Sequence, residues 1–270
     1  MELDMLPQLS ESDNLHAIAI QLVASKQGSL PRNLNRATHA QIMTWLSNAD
    51  PELGSQVHNI QGAPMSISGL LGHRRKKNFV KAGDEFTLRA GILHGDLISP
   101  LLKGLENHGL EKVVMIDFPF SIKAIYAMPG SHPYVGSSQY SLLAKAPSLG
   151  QDITLEFLSP TSFKQEQHIQ PFPLAASVFG SLLKRWNTFA PEALALPKIQ
   201  WNGWVAAYDL KTKAIRMEGG PQIGSVGWVK YHFPDPEQAR IASILAHFAY
   251  FAGVGRKTTM GMGQTRLKQR

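Results

Sequence analysis

Along the first half of the chain, segments with strand-like spacing of hydrophobic positions alternate with segments that have helical spacing. An apolar run at residues 16–25 predicts a strand, and a run with helical spacing at residues 34–49 predicts a helix. A second, short helix is predicted after Asp50, which can cap it, because Pro51 suits the first helical position. Two strands, a helix ending at Gly109 and a final strand or strand pair follow. The predicted order is β-α-β-β-α-β.

The second half repeats this order after a connection rich in Gly, Ser and Pro at residues 129–150. It begins with a strand, an amphipathic helix and two more strands. A helix then starts at Asp235 and Pro236 and ends before Gly253, and a short closing strand follows. We therefore predict an α+β fold of tandem ferredoxin-like (RRM-like) domains, with β-α-β-β-α-β twice. The predicted boundaries are residues 1–130 for the first domain, 131–150 for the linker and 151–270 for the second domain.

Composition narrows the kind of partner. The 270 residues are 43% hydrophobic, as in a globular protein, and carry a formal net charge of +7. A basic balance favours a polyanionic partner, more often nucleic acid than membrane. The chain has no cysteine, which excludes disulfides, thiolate zinc sites and cysteine nucleophiles. Residues 1–14 lack the apolar segment of a signal peptide, and no run has the length of a membrane span, so we expect a cytoplasmic protein.

The segment GVGRKTTMGMGQTRL, residues 253–267, lies between the last predicted helix and the last strand. A helix cap and a turn would explain one or two of its glycines. Four glycines around an Arg-Lys-Thr-Thr run instead favour a surface where backbone N–H groups, hydroxyls and cations contact phosphates. A nucleotide P-loop is excluded, because Arg256 stands where glycine must precede the lysine and because the segment follows a helix. The candidate phosphate-binding residues are Gly253, Gly255, Arg256, Lys257, Thr258, Thr259, Gly261 and Gly263.

This segment and the tandem domains resemble the CRISPR repeat-processing endoribonucleases of the repeat-associated RNA-binding (RAMP) superfamily. The shared string is G-x-G-x-K-T-T-x-G-x-G before the final strand, and the resemblance covers nearly the whole chain. The stretches LNRATHA, HIQPFPL and AGVGRKTTMGMGQTRL look most similar to cyanobacterial-type members. The resemblance implies metal-independent cleavage of the CRISPR precursor RNA within each repeat. The 2′-hydroxyl attacks the adjacent phosphate and leaves a 2′,3′-cyclic phosphate and a 5′-hydroxyl.

The resemblance also points to the catalytic histidines, whose pKa near neutrality suits proton transfer. DPELGSQVH and the strand after it match the family's catalytic region, so His58 is the first candidate and His39, on the first helix, the second. Either histidine could instead cap or pack a helix. The chain departs from members that pair the histidine with a tyrosine and a lysine, since no tyrosine precedes Tyr126. The positive charge that stabilises the transition state would then come from other residues. The candidates are Arg32, Arg36, Arg256 and Lys257.

Further RNA contacts are predicted in the loop HRRKKNFVK, residues 73–81, which could equally be a solvated hairpin tip. Its candidates are Arg74, Arg75, Lys76 and Lys77. Lys164, beside the second half's first helix, either contacts RNA or decorates the end of a strand. Trp201 and Trp204 fit the core or a domain contact better than a base-stacking platform.

The expected partner is CRISPR repeat RNA, with no membrane, no cofactor and no metal. Acidic residues are scattered and histidines lack ligand-like spacing. Effector-complex subunits are further candidate partners, and the chain is expected to be a monomer or a homodimer. Two alternatives stay open. One is a non-cleaving RNA-binding RAMP subunit of a CRISPR effector complex, and the other is a basic RNA-binding module outside CRISPR systems.

Overall fold

The structure, a computed structural model, describes residues 12–31, 34–60, 62–109, 112–217 and 220–268, with residues 58 and 59 described by their backbone alone. Within these ranges the α-helices are α1 (Asn35–Ala49), α2 (Pro51–Asn59), α3 (Ile98–His108), α4 (Tyr140–Ala144), α5 (Ala175–Phe189) and α6 (Pro236–Ala252). The strands up to residue 139 are β1 (Asn14–Ala24), β2 (Gly28–Ser29), β3 (Met65–Ile67), β4 (Phe79–Val80), β5 (Glu85–Ile92), β6 (Lys112–Met115), β7 (Phe118–Tyr126) and β8 (Gly136–Gln139). The later strands are β9 (Asp152–Thr161), β10 (Phe163–Gln165), β11 (His168–Gln170), β12 (Trp204–Met217), β13 (Gly220–His232) and β14 (Thr265–Leu267).

Two antiparallel sheets organise the molecule. The first has the strand order β3-β5-β1-β7-β6, with β8 also paired to β1, and the second has the order β12-β13-β9-β14. Two short ribbons, β2–β4 and β10–β11, lie outside these sheets. Helices α1 and α3 join the core of the first sheet, and α5 and α6 join the core of the second. The fold is therefore α+β, as predicted.

Local signals placed several helix ends correctly. The Asp50 carboxylate accepts a hydrogen bond from Leu53 N at 3.0 Å, and Asp235 caps α6 in the same way. Gly109 and Gly253, with φ of +67° and +66°, end α3 and α6. These conformations favour glycine because they place a Cβ atom close to the backbone. The predicted starts and ends of these helices are confirmed.

Other elements differ from the sequence prediction. The hairpin β12–β13 is longer than the two strands predicted near residues 201–210 and 226–233. Residues 131–150, predicted as a linker, contain strand β8 and the short helix α4. Trp201 does pack on the aromatic core beside Phe179, whereas Trp204 is 51% exposed and lies against the ring of His232. The prediction that Trp204 is a core or contact residue is therefore wrong.

The two sheets meet along a contact region that we call the seam, formed by β3, β5, α6 and residues 253–263. The Ser66 hydroxyl, which is fully buried, donates to the carbonyl of Phe251 at 2.7 Å across the seam. Strand β3 therefore lies directly against the end of α6. No helix within the described residues is both long enough and apolar enough to cross a membrane.

Candidate nucleic-acid interface and catalytic site

The glycine loop, residues 253–263, closes on itself after α6. Val254 N donates to the carbonyl of Gly263 at 2.8 Å. A Cβ atom on Gly263 would lie 2.2 Å from the Val254 carbonyl oxygen, and one on Gly255 would lie 2.5 Å from the Ser162 carbonyl oxygen. Both distances are far below an ordinary contact. These glycines are therefore needed first for the close approach of the protein's own backbone.

The far end of the loop docks against the first sheet and α1. Gly261 N donates to the Ile67 carbonyl at 3.1 Å. A Cβ atom on Gly261, whose φ is +80°, would lie 2.9 Å from the side-chain amide of Asn35 and from Gly69 N. The four glycines are thus explained by packing within the protein, and their contact with RNA stays a prediction.

The charged and hydroxyl side chains of the glycine loop differ in their neighbours and in their exposure. Arg256 donates to Gln222 Oε1 at 2.6 Å, and Lys257 Nζ lies 3.8 Å from Met217 Sδ. Both side chains therefore lie beside the hairpin β12–β13. Partial burial, and secondly the neighbouring Arg256, lower the pKa of Lys257. Thr258 is buried, whereas Thr259 is partly exposed.

The two histidine candidates lie on consecutive helices. His39 is partly buried and follows Asn35 by four residues, so both lie on one face of α1. His58 lies in the last turn of α2, and its side chain is outside the described residues. The docked Gly261 thus lies at the start of the helix that carries His39. Arg36 is exposed on α1, and Arg32 lies outside the described residues.

The basic loop, residues 73–81, is more structured than a hairpin tip. Arg74 donates to the Leu70 carbonyl at 3.0 Å, and burial lowers its pKa. Arg75 forms an ion pair with Asp84, and hydrogen bonds from Arg75 and from Lys81 N lower the pKa of Asp84 to about 2. Strand β4 within the loop pairs with β2.

Besides Arg36, three lysines among the predicted RNA contacts are exposed. Lys76 and Lys77 lie in a short 3₁₀ turn, and Lys77 has a positive φ of 58°. Lys164 is exposed on β10 in the second half. These lysines are available to a polyanion in a way that Arg75, paired with Asp84, is not.

A cleft of about 610 Å³ lies where these elements converge. It is lined by Asn35 of α1, Arg74 of the basic loop and Gly261 of the glycine loop. Three more of its arginines, Arg89, Arg216 and Arg266, come from β5, β12 and β14. None of the described lining residues is acidic. Arg266 is paired with Glu156 at 2.7 Å and Arg89 is buried, so Arg74 and Arg216 are the lining cations without a described carboxylate partner that a polyanion could approach.

Sequence reasoning missed two arginines at the seam, of which Arg89 is buried and Arg185 is half-buried. Arg89 is 5% exposed, donates to Gln264 Oε1 at 3.0 Å and lies over the ring of Tyr250. Arg185 of α5 donates to the Thr258 hydroxyl at 2.8 Å. Arg185 also follows Leu182 by three residues, on the apolar stripe of its helix, which was the one available signal in the sequence.

Within the described parts of the chain, no group of three or more acidic or histidine side chains could hold a metal ion. The arrangement offers histidine-bearing helices and a cleft lined by arginines, whereas most backbone amides of the glycine loop donate to other groups of the protein.

Comparisons with known proteins bear on these features. The sequence model of the family described as CRISPR-associated endoribonuclease Cas6 matches residues 155–265. A search of curated proteins gave no significant match.

Solved structures extend the likeness to almost the whole chain. A product complex of Thermus thermophilus Cas6 has a TM-score of 0.80 at 24% identity, covering 95% of this chain and 100% of that one. A product complex of a second Cas6 protein has a TM-score of 0.75 at 27% identity, with the same coverage of both chains. A substrate-mimic complex of that second protein has a TM-score of 0.70 at 26% identity, again covering 95% and 100%. Residues 155–265 thus match the Cas6 family model, and almost the whole chain has a fold similar to that of solved Cas6 structures.

Proposed function

We propose that this protein is a metal-independent endoribonuclease that cleaves CRISPR precursor RNA within its repeats to give guide RNAs. The observation that carries the proposal is the docking of the glycine loop, through Gly261, onto the start of the helix that bears His39. The family match over residues 155–265 supports it, as do similar Cas6 structures with product and with a substrate mimic.

The proposal includes a tandem ferredoxin-like architecture with domains at residues 1–130 and 151–270. In each half, the strand after the first helix lies at one edge, and the first strand is central. The orders β3-β5-β1-β7 and β12-β13-β9-β14 correspond position by position, which supports two copies of one topology. Segment 131–150 then joins the copies, with β8 added beside β1.

The reaction needs one group to take the 2′-hydroxyl proton and one to protonate the leaving 5′-oxygen. The new bond forms between the 2′-oxygen and phosphorus as the bond from phosphorus to the 5′-oxygen breaks, which leaves a 2′,3′-cyclic phosphate and a 5′-hydroxyl. His58 and His39 are the proposed acid and base, with either assignment open. One of the similar solved structures is a histidine-to-alanine mutant of a Cas6 protein that is 25% identical to this chain. That a histidine was chosen for mutation there supports testing histidines here.

The proposed RNA contacts are exposed or partly exposed cations of both halves of the chain. Lys76, Lys77 and Lys164 are exposed and would neutralise phosphates of the repeat. Arg256 and Lys257, or Arg36 of α1, would stabilise the negative charge that develops on the phosphorane.

The test is cleavage of labelled CRISPR-repeat RNA in EDTA by the wild type, His58→Ala and His39→Ala. We expect a cyclic-phosphate product that is lost in at least one variant while RNA binding is retained. His247→Ala is a matched control, because this histidine lies on α6 in the second half of the chain and not on α1 or α2.

Two outcomes would contradict the proposal. Tight binding of its own repeats without cleavage by the wild type would make the protein a non-cleaving RNA-binding subunit. Loss of cleavage in EDTA, restored by a divalent cation, would show a metal-dependent nuclease instead.

A further inference from the structure

Arg185 is a half-buried cation on α5 whose described hydrogen bonds all go to uncharged groups. Burial lowers its pKa to about 10, so the guanidinium remains protonated at neutral pH. Its Nη1 donates to the Thr258 hydroxyl at 2.8 Å. Its Nη2 donates to the carbonyls of Ala63, at 3.3 Å, and Met65, at 3.1 Å.

These acceptors belong to two segments that are distant in sequence. Met65 is the first residue of β3 and Ala63 lies two residues before it, a few residues after the turn of α2 that carries His58. Thr258 is in the glycine loop, directly after Lys257. One planar group therefore ties the loop to the connection between α2 and β3.

We propose that Arg185 is a positioning residue that sets the glycine loop in register with the segment following the histidine helix α2. The proposal rests on the endoribonuclease function proposed above, and it assigns Arg185 no contact with the substrate. Its effect on the reaction is exerted through Thr258 on one side and through Ala63 and Met65 on the other.

The energetics favour a geometric role over a purely stabilising one. Taking a guanidinium out of water is costly, and an apolar side chain of similar volume often fills such a site at lower cost. Arg185 Nε is buried and has no hydrogen-bond partner among the described residues, so the solvation of this group is incompletely replaced. What the guanidinium provides is a rigid fork that fixes several acceptors at once.

A lysine cannot reproduce this arrangement. Its ammonium is a compact point charge on a flexible stem, and it does not span acceptors on two segments in a fixed plane. Arg185→Lys keeps the charge but loses the fork, whereas Arg185→Met removes both.

The experiment measures single-turnover cleavage and RNA affinity for Arg185→Met, Arg185→Lys and Thr258→Val. We expect Arg185→Met to lower the cleavage rate constant by about tenfold or more, because small misplacements of reacting groups have effects of this size. The Kd for uncleavable repeat RNA should change by less than about threefold, since the loop keeps its Gly261 and Arg256 backbone bonds to Ile67 and Ser162. Adding Thr258→Val to Arg185→Met should cause little further loss, because both changes break the same link.

Leu182→Ala is the matched control. Leu182 is fully buried on the same helix and packs in the core, so its truncation destabilises α5 without removing a hydrogen bond to the loop. At a temperature well below both melting points, Leu182→Ala should cleave at close to the wild-type rate. Equal rates for Arg185→Met and Leu182→Ala, or full rescue by Arg185→Lys, would overturn the proposal.

Hydrogen exchange separates this proposal from the proposed function. Arg185→Met should speed amide exchange at residues 62–67 and 256–262 together, while Leu182→Ala should not single out these two segments. Unchanged exchange there would overturn the positioning role even if the wild type cleaves. Faster exchange at both segments, in a protein whose wild type does not cleave, would support the link and remove the endoribonuclease proposal.

Discussion

Gly261 shows at the scale of one residue why the loop needs glycine. Its φ of +80° is in the left-handed region, and the space for a side chain is taken by Asn35 and by the backbone of Gly69. The left-handed conformation and the lack of space for a Cβ atom are two separate costs of replacing a glycine. A second glycine of the chain has the first cost without the second. Gly130 has a φ of +83° with nothing within 4 Å of a Cβ atom.

We predict that Gly261→Ala destabilises the protein more than Gly130→Ala does. Both variants incur the left-handed conformation, which costs roughly 1–2 kcal/mol for a residue with a Cβ. Only Gly261→Ala must also displace Asn35 or the loop. Urea denaturation of both variants measures the difference in the free energy of unfolding. Equal decreases would show that the loop shifts to accommodate the Cβ atom at no cost in stability.

At this scale, some features could be predicted and others could not. The caps Asp50 and Asp235 were found because their signals lie within four residues of the helix that they start. Arg89 and Arg185 escaped because side-chain partners that hold them, Gln264 and Thr258, lie 175 and 73 positions away in sequence. Because most arginines in proteins are exposed, an arginine in a sequence is expected at the surface unless a partner is known.

At the scale of an element, α2 depends on its cap. We predict that Asp50→Ala costs about 1 kcal/mol of stability, because Leu53 N loses its acceptor. Since α2 carries His58, this change should also slow cleavage of repeat RNA.

Asp235→Ala is the matched control, because it removes the equivalent cap of α6. It should have a similar effect on the free energy of unfolding, measured in urea, with a smaller effect on cleavage. A cleavage rate that falls equally in both variants would argue against a specific role for α2.

The basic loop offers a prediction about salt. We predict that Lys76→Ala/Lys77→Ala lowers the slope of log Kd for RNA against log salt concentration by about 0.7–0.9 per lysine, because each exposed lysine releases counterions from one phosphate. Arg75→Ala should have less effect, since Asp84 already neutralises that guanidinium.

Fluorescence anisotropy with labelled repeat RNA over a range of salt concentrations measures these slopes. Lys145→Ala/Lys198→Ala removes the same charge from exposed positions elsewhere and serves as the control. If both double variants gave the same slope, RNA binding would depend on net charge and not on this loop.

The elements that sequence reasoning placed least well are those without a buried face. The part of the hairpin that includes Lys211, Lys213 and Arg216 is exposed, so it has no alternation of apolar and polar positions to reveal a strand. Strand β8 is short and polar, and it forms only by adding to β1. The local pattern of apolar and polar residues does not predict a strand that forms only by pairing with a distant segment.

At the scale of the whole molecule, the two halves share their hydrophobic interior. The core beneath the second sheet includes Leu15, Ala17 and Leu93, all from the first half of the chain. The order of elements in each half could be predicted from periodicity, but the seam could not, because no periodicity specifies which surfaces of two halves meet.

We predict that the protein unfolds in one cooperative transition and that Leu93→Ala shifts it as a unit. Leu93 is fully buried, so its truncation should cost about 2–5 kcal/mol. Differential scanning calorimetry should show a single peak whose calorimetric and van't Hoff enthalpies agree.

Leu105→Ala, in the core of the first sheet alone, is the comparison variant and should also shift one peak. Two resolved peaks in the wild type, or a Leu93→Ala profile in which one peak moves and another stays, would show that the halves unfold independently.

The hydrogen bond from Gly261 to Ile67 joins positions that are 194 residues apart. A ribosome adding about 5–20 residues per second needs roughly 10–40 s to travel that distance. For that interval a growing chain already has its histidine helices but not the loop that docks onto them. If the proposed site requires both, a molecule can cut RNA only after the ribosome has made the loop, and a growing chain without the loop cannot cut the messenger to which it is still attached.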